Sequence, residues 1–400
     1  MKKLFLFLPL TLLLPLAAAL WCGCTQTYSN AIQQIADDVR EQFVPDGRVD
    51  VFDITVSRDN GKTVLKGVTT LAGAKDELIR RALVEDKNTI DSVVVLPEKR
   101  LGDHIFGVVT LSVASMRDSG DYSAEMATQA LLGTPVKILQ GGSWLRVQTP
   151  EGYISYTYSG NIKRMDKQQF NEWITAPKII FTESYGFSYR TPDASEVVSD
   201  LVAGNVLKLE EEAGKYFKVS YPDGRIAFVK KDETRKFEDW YAAINLTGED
   251  IVACGKRLMG VPYLWGGTSS KSMDCSGFSK TVYLMHGIIL PRDASQQCLA
   301  GQPVDVSENY DNLQVGDLLF FGKKAENGSK ERIWHVAIYA GNHRFIHEAT
   351  QVKINSFDAT SPDYDEYNTK RLVRASRIIG SVDTEGITTL KSNAFYQPQE

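Results

Sequence analysis

The sequence predicts an α+β protein built from several domains. At 400 residues with 43% hydrophobic content, the chain is too long for one ordinary hydrophobic core. A sequence repeat occupies its middle, and after Thr247 short alternating segments give way to helical segments followed by strands. We therefore expect a small N-terminal α/β module, two small β-barrels and a C-terminal α+β domain.

The first residues are typical of an export signal. A basic start precedes an apolar run over residues 4–20 that two prolines interrupt, which favours a secretory leader over residues 1–24 and not a spanning helix. Gly23-Cys24 resembles the lipidation site of bacterial lipoproteins, so the mature chain would begin at lipid-bearing Cys24. Plain cleavage near the same place is the alternative. Either way we expect the protein to leave the cytoplasm for the periplasm or the cell envelope. A lipid on Cys24 would be its only link to the membrane.

Composition excludes some classes of function. The net charge is −5, and the basic residues form no stripe with interleaved aromatics, so no nucleic-acid partner is predicted. With only Cys254, Cys275 and Cys298 after the leader, the chain is not a disulfide-stapled scaffold. One of these thiols must stay unpaired, although a Cys254–Cys298 bridge remains open. No metal or cofactor is predicted.

The segment after the leader, residues 25–100, has the pattern of a small α+β unit. In chain order we expect a helix over 31–43, a strand over 49–54, a hairpin turn at Asn60-Gly61, a helix over 74–84 and a strand over 92–95. The pattern resembles the BON modules of bacterial envelope proteins. No catalytic role is assigned to it.

Residues 107–240 contain two copies of one unit, spaced by roughly seventy residues. The matching segments are Met116-Arg117 with Tyr189-Arg190, Ala124-Glu125-Met126 with Ser195-Glu196-Val197, Gly133 with Gly204, and residues 149–152 with 221–224. Short alternating segments with frequent turns predict a small barrel in each copy. We place the domains at 105–166 and 178–236, and both resemble bacterial SH3-like domains. The alternative is that such barrels only brace or tether.

The C-terminal domain, over residues 247–381, contains a candidate nucleophile, and a polar, loosely held tail is expected over 382–400. Asp274 is suited to cap a helix that runs from Cys275 to about His286. That cap would put the Cys275 sulfur at the positive end of the helix, where thiolate is favoured over thiol. The alternative for a lone cysteine is a small buried residue.

Two histidines provide a candidate base and its orienter. His335 begins an alternating run and His347 ends a second strand after a turn at Gly341. If the hairpin is symmetric about Gly341, the two rings face each other on one side of the sheet. Each histidine alone is more often structural. Together with Cys275 they predict a cysteine nucleophile with its base.

An aromatic segment precedes the cysteine. Tyr263 supplies a phenol that could assist an oxyanion beside the backbone N–H of Cys275. The alternative for Tyr263 and Trp265 is that they fill the core.

An ordered set of motifs over residues 247–381 resembles the NlpC family of papain-like peptidases, which cut cell-wall peptides. The motifs are Tyr263 with Trp265-Gly266-Gly267, Asp274-Cys275-Ser276-Gly277-Phe278, Leu290-Pro291-Arg292-Asp293, residues 316–321, residues 335–339 and Phe345-Ile346-His347. The resemblance implies a papain-like catalytic domain. It also implies Cys275 as nucleophile, His335 as base, His347 as the third polar residue and Tyr263 near the oxyanion.

With SH3-like domains in front, the chain is similar to the γ-D-glutamyl-L-diamino-acid endopeptidases that process murein peptides with a free L-Ala amine. This likeness implies that the first barrel closes one end of the cleft with a buried carboxylate, matched by Glu125, beside an aromatic ring, matched by Tyr156. An ordinary solvated carboxylate at Glu125 is the alternative.

Further substrate contacts follow from the same motifs. Arg292, Asp274 and Ser276 are candidates to hold the D-Glu carboxylate or peptide groups, and Trp265 and Asp293 complete the expected substrate-binding set. Ala294 stands where relatives often carry a serine, so that contact stays open.

We thus predict an exported cysteine endopeptidase that hydrolyses the bond between γ-D-Glu and an L-diamino acid in murein peptides through a thioester. An inactive wall-binding module and an acyltransferase on the same fold are the alternatives.

Overall fold

The computed structural model describes residues 17–307, 310–326 and 328–400, with side chains from residue 30 onward. The expected leader before residue 17 and the side chain of the expected lipidation site, Cys24, lie outside what is described. The chain divides into two compact units at the junction of Leu96 and Pro97. Within the described residues, none of the helices combines the length and the apolar character needed to cross a membrane.

The N-terminal unit is a three-stranded sheet with two helices. Its elements are α1 (Ala17–Phe43), β1 (Phe52–Asp59), β2 (Lys62–Thr69), α2 (Ala72–Glu85) and β3 (Ile90–Val95). Asn60 and Gly61 both have positive φ, 48° and 77°, as a type I′ hairpin turn requires, so the turn predicted there is confirmed. Leu65, Leu78 and Ile32 are fully buried in its core, and α1 begins earlier than the expected helix.

The second unit opens with a seven-stranded barrel followed by a helix. Its elements are β4 (Phe106–Val109), β5 (Val113–Arg117), β6 (Met126–Leu131), β7 (Pro135–Gln140), β8 (Trp144–Gln148), β9 (Ile154–Tyr158), β10 (Ile162–Met165) and α3 (Lys167–Thr175), with short 3₁₀ turns at Lys99–Leu101 and Ser159–Asn161. The strand order is β10-β4-β7-β8-β9-β5-β6. Asp166 caps α3 in a capping box with Gln169.

A second barrel repeats this arrangement. Its elements are β11 (Lys178–Phe181), β12 (Tyr185–Tyr189), β13 (Val197–Val202), β14 (Val206–Ala213), β15 (Tyr216–Ser220), β16 (Ile226–Lys230) and β17 (Thr234–Lys236), with a 3₁₀ turn at Lys231–Glu233, and α4 (Phe237–Ala242) follows. Read from β17, the order is β17-β11-β14-β15-β16-β12-β13, which matches the first barrel strand for strand. Matched glycines also share a left-handed backbone: φ is 83° at Gly133 and 88° at Gly204. The domain boundaries themselves stay a prediction.

The C-terminal part places helices before a sheet, as predicted. Its elements are α5 (Gly248–Lys256), β18 (Thr268–Ser269), β19 (Ser272–Met273), α6 (Cys275–Leu284), β20 (Ile288–Ile289), α7 (Ala294–Gln297), β21 (Gln302–Val304), β22 (Leu318–Lys323), β23 (Arg332–Gly341), β24 (Arg344–Ala349), β25 (Gln351–Ser356), α8 (Glu366–Thr369), β26 (Leu372–Arg377) and β27 (Thr388–Thr389), with a 3₁₀ turn at Ala394–Tyr396. The main sheet has the order β21-β26-β22-β23-β24-β25.

Alternating residues of the main sheet bury its two faces separately. Val336, Ile338 and Ile346 pack with Phe278 of α6 in one core cluster. Phe321 and Phe345 belong to a second cluster. Strand β23 therefore lies under α6 while its other face carries a different set of side chains.

The expectation of a loosely held tail is wrong. Strand β27 pairs with β20, Ile387 is fully buried and Leu390 is nearly so. Asn393 donates to the carbonyl of Pro150 at 2.9 Å. Apolar residues at 387 and 390 anchor the segment despite its polar composition.

Candidate active site

Helix α6 presents Cys275 at its first turn. Asp274 is the N-cap, and its Oδ1 accepts the backbone N–H of Gly277 at 2.7 Å, so the predicted cap is confirmed. A Cβ on Gly277 would lie 2.0 Å from the carbonyl oxygen of Gly267. Only glycine therefore lets the helix start this close to the preceding segment.

The Cys275 sulfur lies against strand β23. Sγ is 4.0 Å from the carbonyl oxygen of Trp334, and the backbone N–H of Val336 also contacts it. These two residues flank His335 in the chain. The sulfur is therefore held beside the segment that carries the candidate base.

Burial of the sulfur works against the ionised form expected for Cys275. Burial, and after it the charge of Asp274, raise the pKa of the Cys275 thiol to about 12. The cap that orients the helix also places a negative charge near the sulfur, and together with desolvation this outweighs the helix dipole. The surroundings of Cys275 therefore favour the thiol, and a base that removes its proton would have to overcome this.

His335 and His347 meet, but not in the expected register. Strand β23 pairs Ile338 with Ile346, and a bulge separates this pair from the turn. The histidines are therefore diagonal neighbours and not directly opposite. Shifting the pairing of β23 with β24 by two residues keeps both rings on one face of the sheet, because side chains alternate with period two. Nε2 of His335 lies 2.8 Å from Nδ1 of His347.

Asn355 extends this hydrogen-bonded pair, and its orientation shows which ring nitrogens carry a proton. Nδ2 of Asn355 donates to the carbonyl oxygen of Asp363 at 3.0 Å, so its Oδ1 faces Nε2 of His347 at 2.9 Å. An amide oxygen only accepts, so His347 carries its proton on Nε2 and accepts at Nδ1. His335 then donates from Nε2, which leaves a lone pair on its Nδ1.

Burial keeps both rings uncharged. It is the main cause that lowers the pKa of His335 to about 3, with the nearby charges of His347, Arg371 and Lys353 acting in the same direction. It also lowers the pKa of His347 to about 4. At neutral pH the site holds a neutral thiol and neutral imidazoles.

Tyr263 and Trp265 are not core residues, which makes the core-filling alternative wrong. Their side chains are 37% and 62% exposed. Tyr263 is fixed through its backbone, which donates to Thr350 at 2.9 Å and bridges to Met273. Burial, then the charge of Cys275, raise the pKa of the Tyr263 phenol, so this O–H stays protonated and can donate near the thiol.

Arg292 and Asp274 form a buried ion pair behind the cysteine. Arg292 is 1% exposed and donates to both oxygens of Asp274 at 3.1 and 2.6 Å, to Oγ of Ser276 at 2.9 Å and to Oγ1 of Thr128 at 2.9 Å. These contacts hold the cap of α6 and tie it to β6 of the first barrel. Substrate contact by Arg292, Asp274 and Ser276 stays a prediction.

The first barrel brings carboxylates to the aromatic segment. Oε1 of Glu125 accepts the indole N–H of Trp265 at 2.6 Å, and Glu125 is exposed, so the expectation of a buried carboxylate is wrong. Burial and the charges of Glu125 and Asp293 raise the pKa of Asp118. Asp118, Glu125 and Asp293 therefore form one acidic cluster, which we call the acidic end of the cleft.

Tyr156 lies on β9, and the neighbouring strand β5 is followed in the chain by the loop that contains Glu125. It pairs with Arg117 of β5 and Arg146 of β8, and the guanidinium of Arg146 lies 5.2 Å from its ring centroid. Arg117 pairs with Met126 on its other side, so Tyr156 and Glu125 lie near the same end of the barrel.

Sequence reasoning missed four residues of this site: Asp118, Glu348, Asn355 and Arg371. Glu348 follows His347 and is fully buried, with both carboxylate oxygens lacking a hydrogen-bond partner among the described residues. Burial, then the charge of Asp274, raise its pKa to about 8. The alternation of side chains along β24 could have predicted that Glu348 faces the helix side of the sheet. It could not have predicted that Glu348 lies near Asp274.

Two relatives match more than half of this chain in sequence. A protein named gamma-D-glutamyl-L-lysine dipeptidyl-peptidase from Bacillus cereus is 30% identical over 252 residues, covering 60% of this chain and 73% of the relative. Its namesake from Bacillus subtilis is 31% identical over 224 residues, covering 55% of this chain and 71% of the relative. The profile described as NlpC/P60 family matches residues 260–377. The chain belongs to the NlpC/P60 family.

The match to this family extends to the accessory domain and to the fold. A profile described as bacterial dipeptidyl-peptidase Sh3 domain matches residues 116–157 of the first barrel. A crystal structure of an NlpC/P60 family protein from Bacillus cereus superposes with a TM-score of 0.57 at 24% identity, covering 68% of this chain and 99% of that one. The predicted fold class, a papain-like domain with SH3-like barrels, is confirmed.

Proposed function

We propose that this NlpC/P60 protein is a cysteine endopeptidase that hydrolyses the bond between γ-D-Glu and the L-diamino acid of murein peptides. One observation carries the proposal: Cys275 lies at the start of α6, against the strand of His335, which is the first member of a hydrogen-bonded His335–His347–Asn355 relay across three strands. The names of the Bacillus relatives support the choice of bond. The catalytic roles below are part of the proposal.

The first step forms a thioester. The lone pair on Nδ1 of His335 accepts the thiol proton as Sγ of Cys275 attacks the γ-carbonyl carbon of D-Glu. The resulting oxyanion is stabilised by the N–H of Cys275 and the Tyr263 hydroxyl. His335 then gives its proton to the nitrogen of the diamino acid, the C–N bond breaks and the amine leaves.

The second step releases the acyl group. Water enters where the amine departed, and Nδ1 of His335 takes a proton from it as its oxygen attacks the thioester carbon. Collapse of the tetrahedral intermediate breaks the C–S bond and returns the proton to Sγ. His335 thus acts as the base that accepts a proton and as the acid that returns it in each of the two steps.

Recognition of a free L-Ala amine is proposed at the acidic end of the cleft. The positive charge of an ammonium group is attracted by the carboxylates of Asp118, Glu125 and Asp293. An acetylated or continuous chain has no such charge, so it binds more weakly at this end. Trp265, with its indole N–H held by Glu125, and Tyr156 complete the wall. Arg292 and Ser276 contribute by holding the Asp274 cap.

Incubation of the full chain with L-Ala-γ-D-Glu-L-Lys and L-Ala-γ-D-Glu-meso-diaminopimelate, followed by mass spectrometry, tests the activity. We expect L-Ala-D-Glu and the free diamino acid from the wild type and no product from Cys275→Ala. Transfer of the acyl group to an added amine instead of water would support the acyltransferase alternative. Cleavage at an equal rate by Cys275→Ala would contradict the mechanism.

We also infer that the protein acts in the cell envelope, anchored by a lipid on Cys24. The basic start, apolar run and Gly23-Cys24 junction support this localisation. Growth with labelled palmitate should label the wild type but not Cys24→Ser. Equal labelling of both proteins would contradict the anchor.

A further inference from the structure

Arg371 has hydrogen-bond donors without acceptors beside the candidate base. Its Nε and Nη1 are buried, and within the described part of the chain neither has a hydrogen-bond partner. A buried donor without an acceptor has lost its hydrogen bonds to water and has gained none in return. An acceptor supplied by a ligand would recover that loss.

Two exposed aromatic rings position this guanidinium. Its central carbon lies 4.7 Å from the ring centroid of Trp334 and 3.9 Å from that of Tyr367. These side chains are 47% and 69% exposed. Cation–π contacts orient the guanidinium and partly offset its charge, but they supply no hydrogen-bond acceptor for its N–H groups.

The sheet puts Arg371 at the level of His335. Phe321 of β22 pairs with His335 on one side and with Leu372 on the other, and the carbonyl of Arg371 accepts the N–H of Gly322 at 2.9 Å. Trp334 immediately precedes His335 and also contacts the nucleophile through its carbonyl oxygen. Arg371 therefore lies across β22 from His335, with its guanidinium over the ring of the residue that precedes this candidate base.

The local charge is positive. Arg371 and Lys353 both act electrostatically on His335, and Lys353 pairs with His347 across β24 and β25. Nearby Arg374 is already paired with Glu331 at 2.9 Å. In the part of the chain that the structure describes, no carboxylate forms an ion pair with Arg371.

We propose that Arg371, held by Trp334 and Tyr367, is a specificity-determining residue that binds a carboxylate on the leaving diamino acid. This rests on the proposed function, in which His335 protonates the leaving nitrogen. The α-carboxyl carbon of that amino acid is two bonds from this nitrogen, so it must lie near His335. A guanidinium matches a carboxylate in two-point contact, and the side-chain carboxylate of diaminopimelate is the second possible source of the same chemistry.

Four peptides separate the two sources: L-Ala-γ-D-Glu-L-Lys, L-Ala-γ-D-Glu-meso-diaminopimelate, and the α-amide of each. If the α-carboxylate binds, amidation lowers wild-type kcat/KM by about tenfold or more for both diamino acids. If the side-chain carboxylate binds, the diaminopimelate peptides are preferred over the lysine peptides by a similar factor, amidated or not. In either case Arg371→Gln removes the preference, because it lowers turnover of the preferred peptides far more than turnover of the lysine amide.

Arg374→Gln is the matched control, since it removes a nearby cation that already has Glu331 as its partner. Tyr367→Ala, at an exposed ring, should weaken the preference without loss of folding. Equal losses on all four peptides in Arg371→Gln, or no carboxylate preference in the wild type, would overturn the inference.

The inference can fail separately from the proposed function. Calorimetry with Cys275→Ala measures binding of the four peptides without turnover. If the wild type cleaves none of them but Cys275→Ala binds the acids about tenfold more tightly than the amides, the carboxylate site stands and the proposed reaction falls. Equal affinities for acids and amides would overturn the carboxylate site.

Discussion

The two barrels share one strand order but use the same glutamate position differently. In the second barrel, Glu196 pairs with Arg190 of the same barrel at 2.8 Å, and both side chains are more than half exposed. In the first barrel the matching Arg117 donates to the carbonyl of Ala124. Glu125 is thereby free of its own arginine and accepts the indole N–H of Trp265 instead.

The barrels also differ in how they contact the catalytic domain. The first barrel does so through buried groups: Gln129 accepts the N–H of Thr268 at 2.9 Å, and Thr128 accepts from Arg292. The second barrel uses more exposed contacts, such as Asp200 with Lys271. The repeated domain has thus kept its fold in both copies, while its first copy supplies the carboxylate that accepts from Trp265.

The largest loss of stability is expected when the buried contact between Arg292 and the first barrel is removed. Arg292→Ala leaves Asp274 buried without its partner, which costs about 3–5 kcal/mol, and it also disturbs the cap of α6. Lys271→Ala, at the second barrel, removes a partly exposed pair worth about 0–1 kcal/mol. Thermal unfolding of both variants measures the difference, and similar shifts in the two would contradict the contrast between the barrels.

A smaller loss is expected where the aromatic segment passes the first barrel. Gly266 has a φ of 79°, and a Cβ there would lie 2.3 Å from the carbonyl oxygen of Met126. Gly266→Ala should therefore cost roughly 2–5 kcal/mol, the sum of a left-handed backbone and overpacking. Gly260→Ala is the control because its φ is 81° with open space around it, so only the backbone cost of about 1–2 kcal/mol remains. Denaturant unfolding that ranks the two variants equally would argue against a tight contact.

The matched glutamates test recognition directly. Glu125→Gln should lower kcat/KM for L-Ala-γ-D-Glu-L-Lys by about tenfold or more, since a charge-assisted contact is worth about 1.5–3 kcal/mol. Glu196→Gln should have no effect on this rate. N-acetylation of the peptide should lower the wild-type rate and abolish the difference between the variants. A wild type that cleaves free and acetylated peptides equally well would disprove amine recognition.

The last expected effect is a loss of stability in acid, which arises in the catalytic sheet and not in either barrel. The folded-state pKa values of His335 and His347, about 3 and 4, lie below the ordinary 6.5. The unfolded chain therefore takes up protons first, and stability falls as pH drops from 6.5 towards 4, by up to about 1.4 kcal/mol per pH unit for each ring. His347→Asn should reduce this loss, whereas His343→Asn at the turn should keep it. Thermal midpoints at pH 7 and pH 5 measure both.

Local chemistry explains what could be predicted. The Asp274 cap and the start of α6 depend on neighbouring residues, and the shared face of His335 and His347 depends only on even spacing, which a two-residue shift in register preserves. Asn355 could not be predicted because its place depends on how β25 pairs with β24. Arg371 lies across β22 from His335, and the order of strands in the sheet cannot be predicted from a local sequence pattern.

Electrostatic expectations failed where burial was unknown. The dipole of α6 and the charge of Asp274 act on Cys275 in opposite directions, and only the three-dimensional packing shows that desolvation decides the balance. Glu125 was expected to be buried because the resemblance implied a cleft closed by the first barrel. In the structure its side chain is exposed. Both errors concern solvent access, which sequence patterns constrain weakly.

The relay behind the base ends on a peptide carbonyl, that of Asp363, and so it contains no anion. In the proposed reaction, the imidazolium formed during attack is stabilised only by dipoles and has no counter-charge in the relay. Such a cation is a strong acid and is short-lived, which suits rapid protonation of a departing amine. A carboxylate in place of Asn355 would make the ring a better base but a poorer acid, so the uncharged relay favours expulsion of the leaving group over capture of the thiol proton.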